Sequence, residues 1–115
     1  MLNEINAIAM TYFHRCTIKR KSYVTDEWGS ETATTITVAE NLKCAVSKKD
    51  LPVLSDNGIQ TYTAVHTLYT YPKTDIKSGD TIIAMVEGEE MTFTASRPFK
   101  YPSHIEVPIT FEEVI

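Results

Sequence analysis

Three histidines (His14, His66 and His104), two cysteines (Cys16 and Cys44) and a carboxylate run at Glu87, Glu89 and Glu90 are the residues of this 115-residue chain suited to metal binding, nucleophilic attack or proton transfer. Imidazole, thiolate and carboxylate are the ligand types of zinc and related ions, and paired carboxylates can take up and release protons. Their spacing argues against each use. The histidines lie in three separate segments, where hydrogen-bonded or surface histidines are the simpler reading. The glutamates flank Gly88 without the regular ligand spacing of a calcium loop, so they read as a solvated turn. Asp75 and Asp80, around Ser78-Gly79, read the same way. The chain has no Gly-rich phosphate loop, no Gly-x-Ser-x-Gly elbow and no His-Glu-x-x-His pair. The expectation is therefore no enzyme, with no catalytic residue, cofactor or metal site.

Each cysteine falls on the apolar side of an alternating segment, which predicts buried free thiols. Without a secretory context a structural disulfide is not expected. The N-terminus has no basic region or long apolar run, and no later stretch is long enough to span a membrane. A soluble protein made in a reducing cytoplasm is expected.

Arg15, Lys19, Arg20 and Lys21, with Tyr23 close by, have the basic-plus-aromatic character of a nucleic-acid face. A net charge of −4 and a pI near 5.3 argue against a dedicated nucleic-acid binder, and alternating Lys and Thr also suit an exposed β face. An acidic wall would suit a channel through which DNA must slide. Trp28, beside Gly29 in a turn, either folds back over the end of the domain or contacts a partner.

Hydrophobic periodicity supplies the elements that position these residues. Leu2, Ile5, Ala9 and Tyr12 recur at spacings of three and four, predicting a helix over residues 1–12. From His14 the period becomes two. Strands are predicted over His14 to Val24, Glu31 to Ala39, Leu42 to Ser47, Gln60 to Tyr71, Thr81 to Val86 and Met91 to Ala95, with Asn41 as a break. Gln60 to Tyr71 is expected to be the longest strand, with both faces at least partly covered. Lys48 to Ile59 has loop chemistry over about a dozen residues, a length that is usually functional or disordered. Arg97 to Pro108, with three prolines, reads as an extended edge or wall-crossing segment. One all-β domain over residues 1–115 follows: a small six-stranded antiparallel barrel with a short N-terminal helix.

Several segments, taken in order, resemble the small head-closure (stopper) proteins of long-tailed phages and PBSX-like prophages. They are Tyr23-Val24-Thr25-Asp26-Glu27-Trp28-Gly29, Val38-Ala39-Glu40-Asn41-Leu42-Lys43-Cys44, Asp75-Ile76-Lys77-Ser78-Gly79-Asp80 and Phe99-Lys100-Tyr101-Pro102-Ser103-His104-Ile105-Glu106-Val107-Pro108. The resemblance implies a non-catalytic barrel at the head–tail interface of a virion, assembled in the cytoplasm of a bacterial host. Copies would form a ring below the portal and its adaptor, close the DNA channel, touch DNA at most transiently and offer a docking surface to tail and tail-completion proteins. A long loop acts as the gate in that family. By length and position it maps here to Lys48-Lys49-Asp50-Leu51-Pro52-Val53-Leu54-Ser55-Asp56-Asn57-Gly58. The competing expectation is a small-barrel nucleic-acid or peptide-binding module using Arg15 to Tyr23.

Overall fold

The structure, a computed structural model, describes residues 4–112. It begins with one helix, α1 (Glu4–Ala9), which ends before the expected Tyr12; Leu2 of the expected apolar stripe lies outside the described residues. Just after the helix, Tyr12 is buried. Its hydroxyl donates to the Thr70 carbonyl at 3.1 Å, and its ring meets Tyr71 edge-on at 5.4 Å.

Everything else regular among the described residues is antiparallel strand: β1 (His14–Thr25), β2 (Glu31–Leu54), β3 (Gln60–Thr70), β4 (Thr81–Val86), β5 (Glu89–Ala95), β6 (Phe99–Lys100) and β7 (Ile105–Phe111). The order is β3-β2-β1-β4-β5-β7-β6, and β3 pairs again with β7, so the sheet closes into a ring. The two-residue β6 lies on the same edge of β7 as β5, at Ile105 and Glu106, while β5 pairs further along at Ile109 to Phe111. It continues β5 after the break at Ser96-Arg97-Pro98. The wall therefore has six places, the expected number but not the expected six strands, because β2 joins two of them and β7 supplies the sixth; strands of 24 and 6 residues make it an uneven barrel.

Alternate residues fill the interior. Ile18, Cys44, Leu68, Ile82, Ala84, Phe93, Ile105 and Val107 are fully buried and form one core with Cys16 and Ile109. Each large apolar side chain removed from water contributes about 1.5–3 kcal/mol, which is what holds so short a wall closed. Cys16 and Cys44 are buried free thiols, as expected.

Other expectations need correction. The strand from Gln60 is not the longest: β3 has 11 residues against 12 in β1 and 24 in β2. Lys48 to Ile59 is not a long loop: Lys48 to Leu54 continues β2, paired with β3 from Ala45↔Tyr69 to Leu54↔Gln60, and only Ser55 to Ile59 turns. Asn41 does not end a strand. It takes φ 51° within β2, a left-handed conformation that asparagine tolerates. Between Cys16↔Leu42 and Ile18↔Ala39, and again between Ile18↔Ala39 and Lys19↔Thr37, β2 holds one residue more than β1. Such bulges bend and twist a strand, so β2 can pass from one partner to the next without stopping.

The first half of β3 is exposed on both faces rather than covered. Finally, Ile105 to Phe111 is no edge, since β7 pairs with β3 on one side and with β5 and β6 on the other. Pro108 fits there because its carbonyl accepts from Ser96 N at 2.8 Å. The missing N–H of the same residue thus faces the break between β5 and β6, where no ladder bond is required.

Candidate functional site

Closing the ring uses only part of β1, β2 and β3. β4 pairs with β1 from Arg15 to Lys19, and β7 pairs with β3 from His66 to Thr70. Beyond those limits two hairpin arms leave the barrel, each strand having a single neighbour. One arm is Arg20 to Thr25 against Glu31 to Ile36; the other, longer one is Ser47 to Leu54 against Gln60 to Thr67, with His66 and Thr67 at its root also paired to β7. At about 3.3 Å per residue the longer arm extends about 25 Å. The arms account for a radius of gyration of 17.0 Å and extents of 55 × 54 × 27 Å, against about 13 Å for a compact domain of this size.

The longer arm holds every residue of the expected gate. Its tip is a tight turn: Ser55 N donates to Ile59 O at 3.0 Å, and Gly58 N to Ser55 O at 3.0 Å. Ser55 Oγ also bonds the Asn57 side chain. Gly58 takes φ 81°, a conformation that side chains disfavour. Strand alternation puts Leu51, Val53 and Val65 on one face, and Pro52, Leu54 and Tyr62 on the other. All but Pro52 rank among the exposed large apolar residues, with Leu54 74% and Tyr62 70% exposed. Polar contacts within the arm are sparse: Lys48 and Asp50 approach to 3.9 Å, both exposed. An arm apolar on both faces, with open edges, is unusual for a free surface.

The shorter arm ends in Asp26 to Ser30. Asp26 Oδ1 accepts from Trp28 N and Ser30 N, both at 2.9 Å, which fixes the turn. Trp28 projects from it, 88% exposed, and does not fold over the barrel. Tyr23 and Val24 are also exposed. The base of this arm is tied down. Arg20 Nε and Nη2 donate to the two oxygens of Asp80, each at 2.8 Å, and the guanidinium also reaches Asp75 at 3.2 Å. Asp80 is buried and accepts from Lys77 N as well. Donating to Asp80 and then to Asp75 raises the Arg20 pKa above its ordinary value, and the bond from Arg20 lowers that of Asp75. Sequence reading treated Asp75 and Asp80 as a solvated turn and Arg20 as part of a basic face. The alternation that points Cys16 and Ile18 inward was the available signal that Arg20 differs from Lys19 and Lys21.

The residues suited to chemistry are not brought together. Among the described residues no three His, Cys, Asp or Glu side chains converge as metal ligands. His14 Nδ1 accepts from Val46 N at 3.0 Å, and His66 packs 5.1 Å from Phe93. Glu87, Glu89 and Glu90 stand exposed at the β4–β5 turn. Cys16 and Cys44 are close enough to interact. The Cys16 contact, then burial, raises the Cys44 thiol pKa.

One relay had gone unnoticed in the sequence. His104 Nδ1 lies 2.8 Å from Ser103 Oγ, and its Nε2 lies 3.0 Å from Glu106, with Tyr101 stacked on the ring at 5.0 Å. These are the groups of a Ser-His-acid triad. With Ser103 buried at 7% exposure, the relay instead braces the turn between β6 and β7, where Tyr101 N donates to His104 O at 2.8 Å.

The fold class is thus a closed, uneven antiparallel β-ring with two projecting hairpins. A solved structure of this kind is the phage-like element PBSX protein xkdH from Bacillus subtilis, similar over 89% of this chain and 96% of that one, with a TM-score of 0.53 and 16% identity. That likeness shows a shared fold. No protein-family model matches the chain, and no curated protein matches it in sequence. No helix among the described residues is long and apolar enough to cross a membrane.

Proposed function

We propose that the protein is a non-catalytic structural subunit of a phage or prophage head–tail connector. In this reading copies assemble as a ring beneath the portal and its adaptor, close the DNA channel after packaging and present a surface to tail proteins. The observation carrying the proposal is the pair of arms: apolar side chains held out on hairpins make sense where neighbouring molecules cover them. The fold shared with a PBSX protein and the ordered sequence resemblance point the same way. The longer arm takes the gate role, as a hairpin in place of a loop, with Leu51, Val53, Leu54 and Tyr62 packing against the arms of adjacent copies. Trp28, at the tip of the shorter arm, takes the role of partner anchor.

The alternative of a nucleic-acid module on Arg15 to Tyr23 has less support, because Arg20 is neutralised by two carboxylates. The test is complementation in the phage or prophage carrying the gene. The longer arm is shortened symmetrically, removing Asp50 to Leu54 and Gln60 to Ala64 while retaining the Ser55 to Ile59 turn. Heads should then lose DNA although the purified barrel stays folded. Heads that keep their DNA and still join tails would refute the gate.

A further inference from the structure

Two surfaces away from the arms are complementary in charge, and they lie apart on the same subunit. The first is basic and aromatic. Phe99 on β6 is 54% exposed and lines an open cleft with Lys77, Arg97 and Lys100. Among the described residues none of those three cations forms an ion pair, the nearby Asp75 being taken by Arg20. The second is a hollow on the outer wall of β1, β2 and β4, of about 320 Å³, with Ile83 and Met85 among its lining residues and Glu40 and Glu90 beside them. Met85 is 47% exposed, and the exposed Glu87 and Glu89 continue the acidic surface onto the β4–β5 turn. Arg15 also lines the hollow, with its guanidinium on the Asn41 carbonyl at 3.3 Å.

The two cannot meet within one molecule. β5 runs from Glu89 at the acidic turn to Ala95, whose backbone bonds Gly79 and Asp80 beside Lys77. Its six residue steps separate the acidic and basic ends by about 20 Å. Around the ring, β4 and β5 stand between the β1 wall and β7, on which β6 rides.

We infer that these surfaces are the two halves of a head-to-tail contact: the exposed Phe99 ring, with Arg97 and Lys100, docks against the Met85 hollow of a second copy, between its Glu40 and Glu90. An exposed aromatic ring with flanking cations matches the exposed Met85 and a rim whose carboxylates, continued by Glu87 and Glu89, outnumber Arg15. A contact between unlike patches leaves one of each free on every pair, which is the requirement for a ring. The side chains named are far fewer than the roughly 20–30 residues a side of a stable interface, so association is weak in free solution and strengthens only on an assembly platform. This deepens the connector proposal by naming the surfaces that join neighbours, and it rests on that reading.

The test uses purified full-length protein at about 1 mM and low salt, where weak charged contacts are populated. Isotope-labelled protein should show concentration-dependent NMR shifts at Arg97 to Lys100 and, together with them, at Glu40, Met85 and Glu90. Sedimentation should show association that fades as salt is added. The variants R97E/K100E and E40K/E90K should each associate at least about tenfold more weakly. An equimolar mixture of the two should recover association, because each acidic patch again meets a basic one. Two monomeric variants that stay monomeric when mixed would overturn the inference, as would wild-type protein without shifts at both surfaces. Shifts at Arg97 to Lys100 that appear only on adding a short DNA duplex would replace the second copy with nucleic acid. All of these readouts are independent of virion assembly, so their failure leaves the connector reading to the complementation result.

Discussion

Replacing Asp80 by alanine tests the tie between the shorter arm and the barrel. The Asp80 carboxylate is 3% exposed and accepts three bonds of 2.8 Å, from Arg20 Nε, Arg20 Nη2 and Lys77 N. Removing it leaves the Lys77 amide without its acceptor and Arg20, whose side chain is 21% exposed, with only the exposed Asp75. Breaking a buried ion pair by deleting one partner costs about 3–5 kcal/mol. Here water and Asp75 take up part of the loss on the Arg20 side, so about 2–4 kcal/mol is expected. That is a substantial share of the about 5–15 kcal/mol of a typical domain. In urea unfolding the midpoint should fall while the slope stays constant, because the same surface is exposed. Asp75→Asn should barely move the midpoint, since exposed ion pairs contribute little. Hydrogen exchange should quicken from Arg20 to Thr25 and Glu31 to Ile36 in the Asp80→Ala variant, ahead of the core strands. A loss below about 0.5 kcal/mol, the ordinary effect of a surface substitution, together with unchanged exchange in the arm, would refute the reasoning.

Other outcomes follow from the same geometry. Acid should weaken the Asp75 contact only slightly: its pKa is lowered in the fold by Arg20, so its small contribution is present above the ordinary carboxylate value and lost as pH falls through the lowered one, and the Asp75→Asn variant should show the same unfolding midpoint as wild type across the acid range to within that small difference. Phe93→Ala should cost about 3–5 kcal/mol, because the ring is fully buried and packs against His66 and Phe111; calorimetry would show it. Trp28→Ala should change stability by less than about 0.5 kcal/mol and yet block assembly in the complementation assay. Thiol reagents should label Cys44 only on unfolding. Its pKa is raised in the fold, so the stabilisation it lends holds below the ordinary thiol value and declines as pH rises towards the raised one.

The barrel wall was legible because each wall strand has one wet face and one dry one. Cys16 and Ile18, and Phe93 and Ala95, alternate with polar neighbours, and the structure buries all four. Closure itself was not readable, since β3 and β7 meet through residues about 40 apart and neither segment carries a mark of the other. Pro108 misled by its type. Proline is excluded from central strands only where its missing donor would face a neighbour, and which way it faces depends on the break in β5, a tertiary fact.

The longer arm escaped sequence reading for a related physical reason. Alternation appears in a sequence when burial differs between the two faces of a strand, and between Lys48 and Leu54 it does not: both faces are exposed. Lys48-Lys49-Asp50 and Pro52 therefore read as loop residues, although each pairs across the hairpin with β3. Pro52 is tolerated there because an arm two strands wide leaves an edge of β2 without a ladder to satisfy. The clue that survives is the run Leu51-Pro52-Val53-Leu54, too apolar for a solvated loop. Facing it across the hairpin stand Tyr62 and Val65, also exposed. Apolar side chains on both faces of an exposed hairpin remain costly until another molecule covers them, so the stretch with no strand pattern is also the one that most needs a partner.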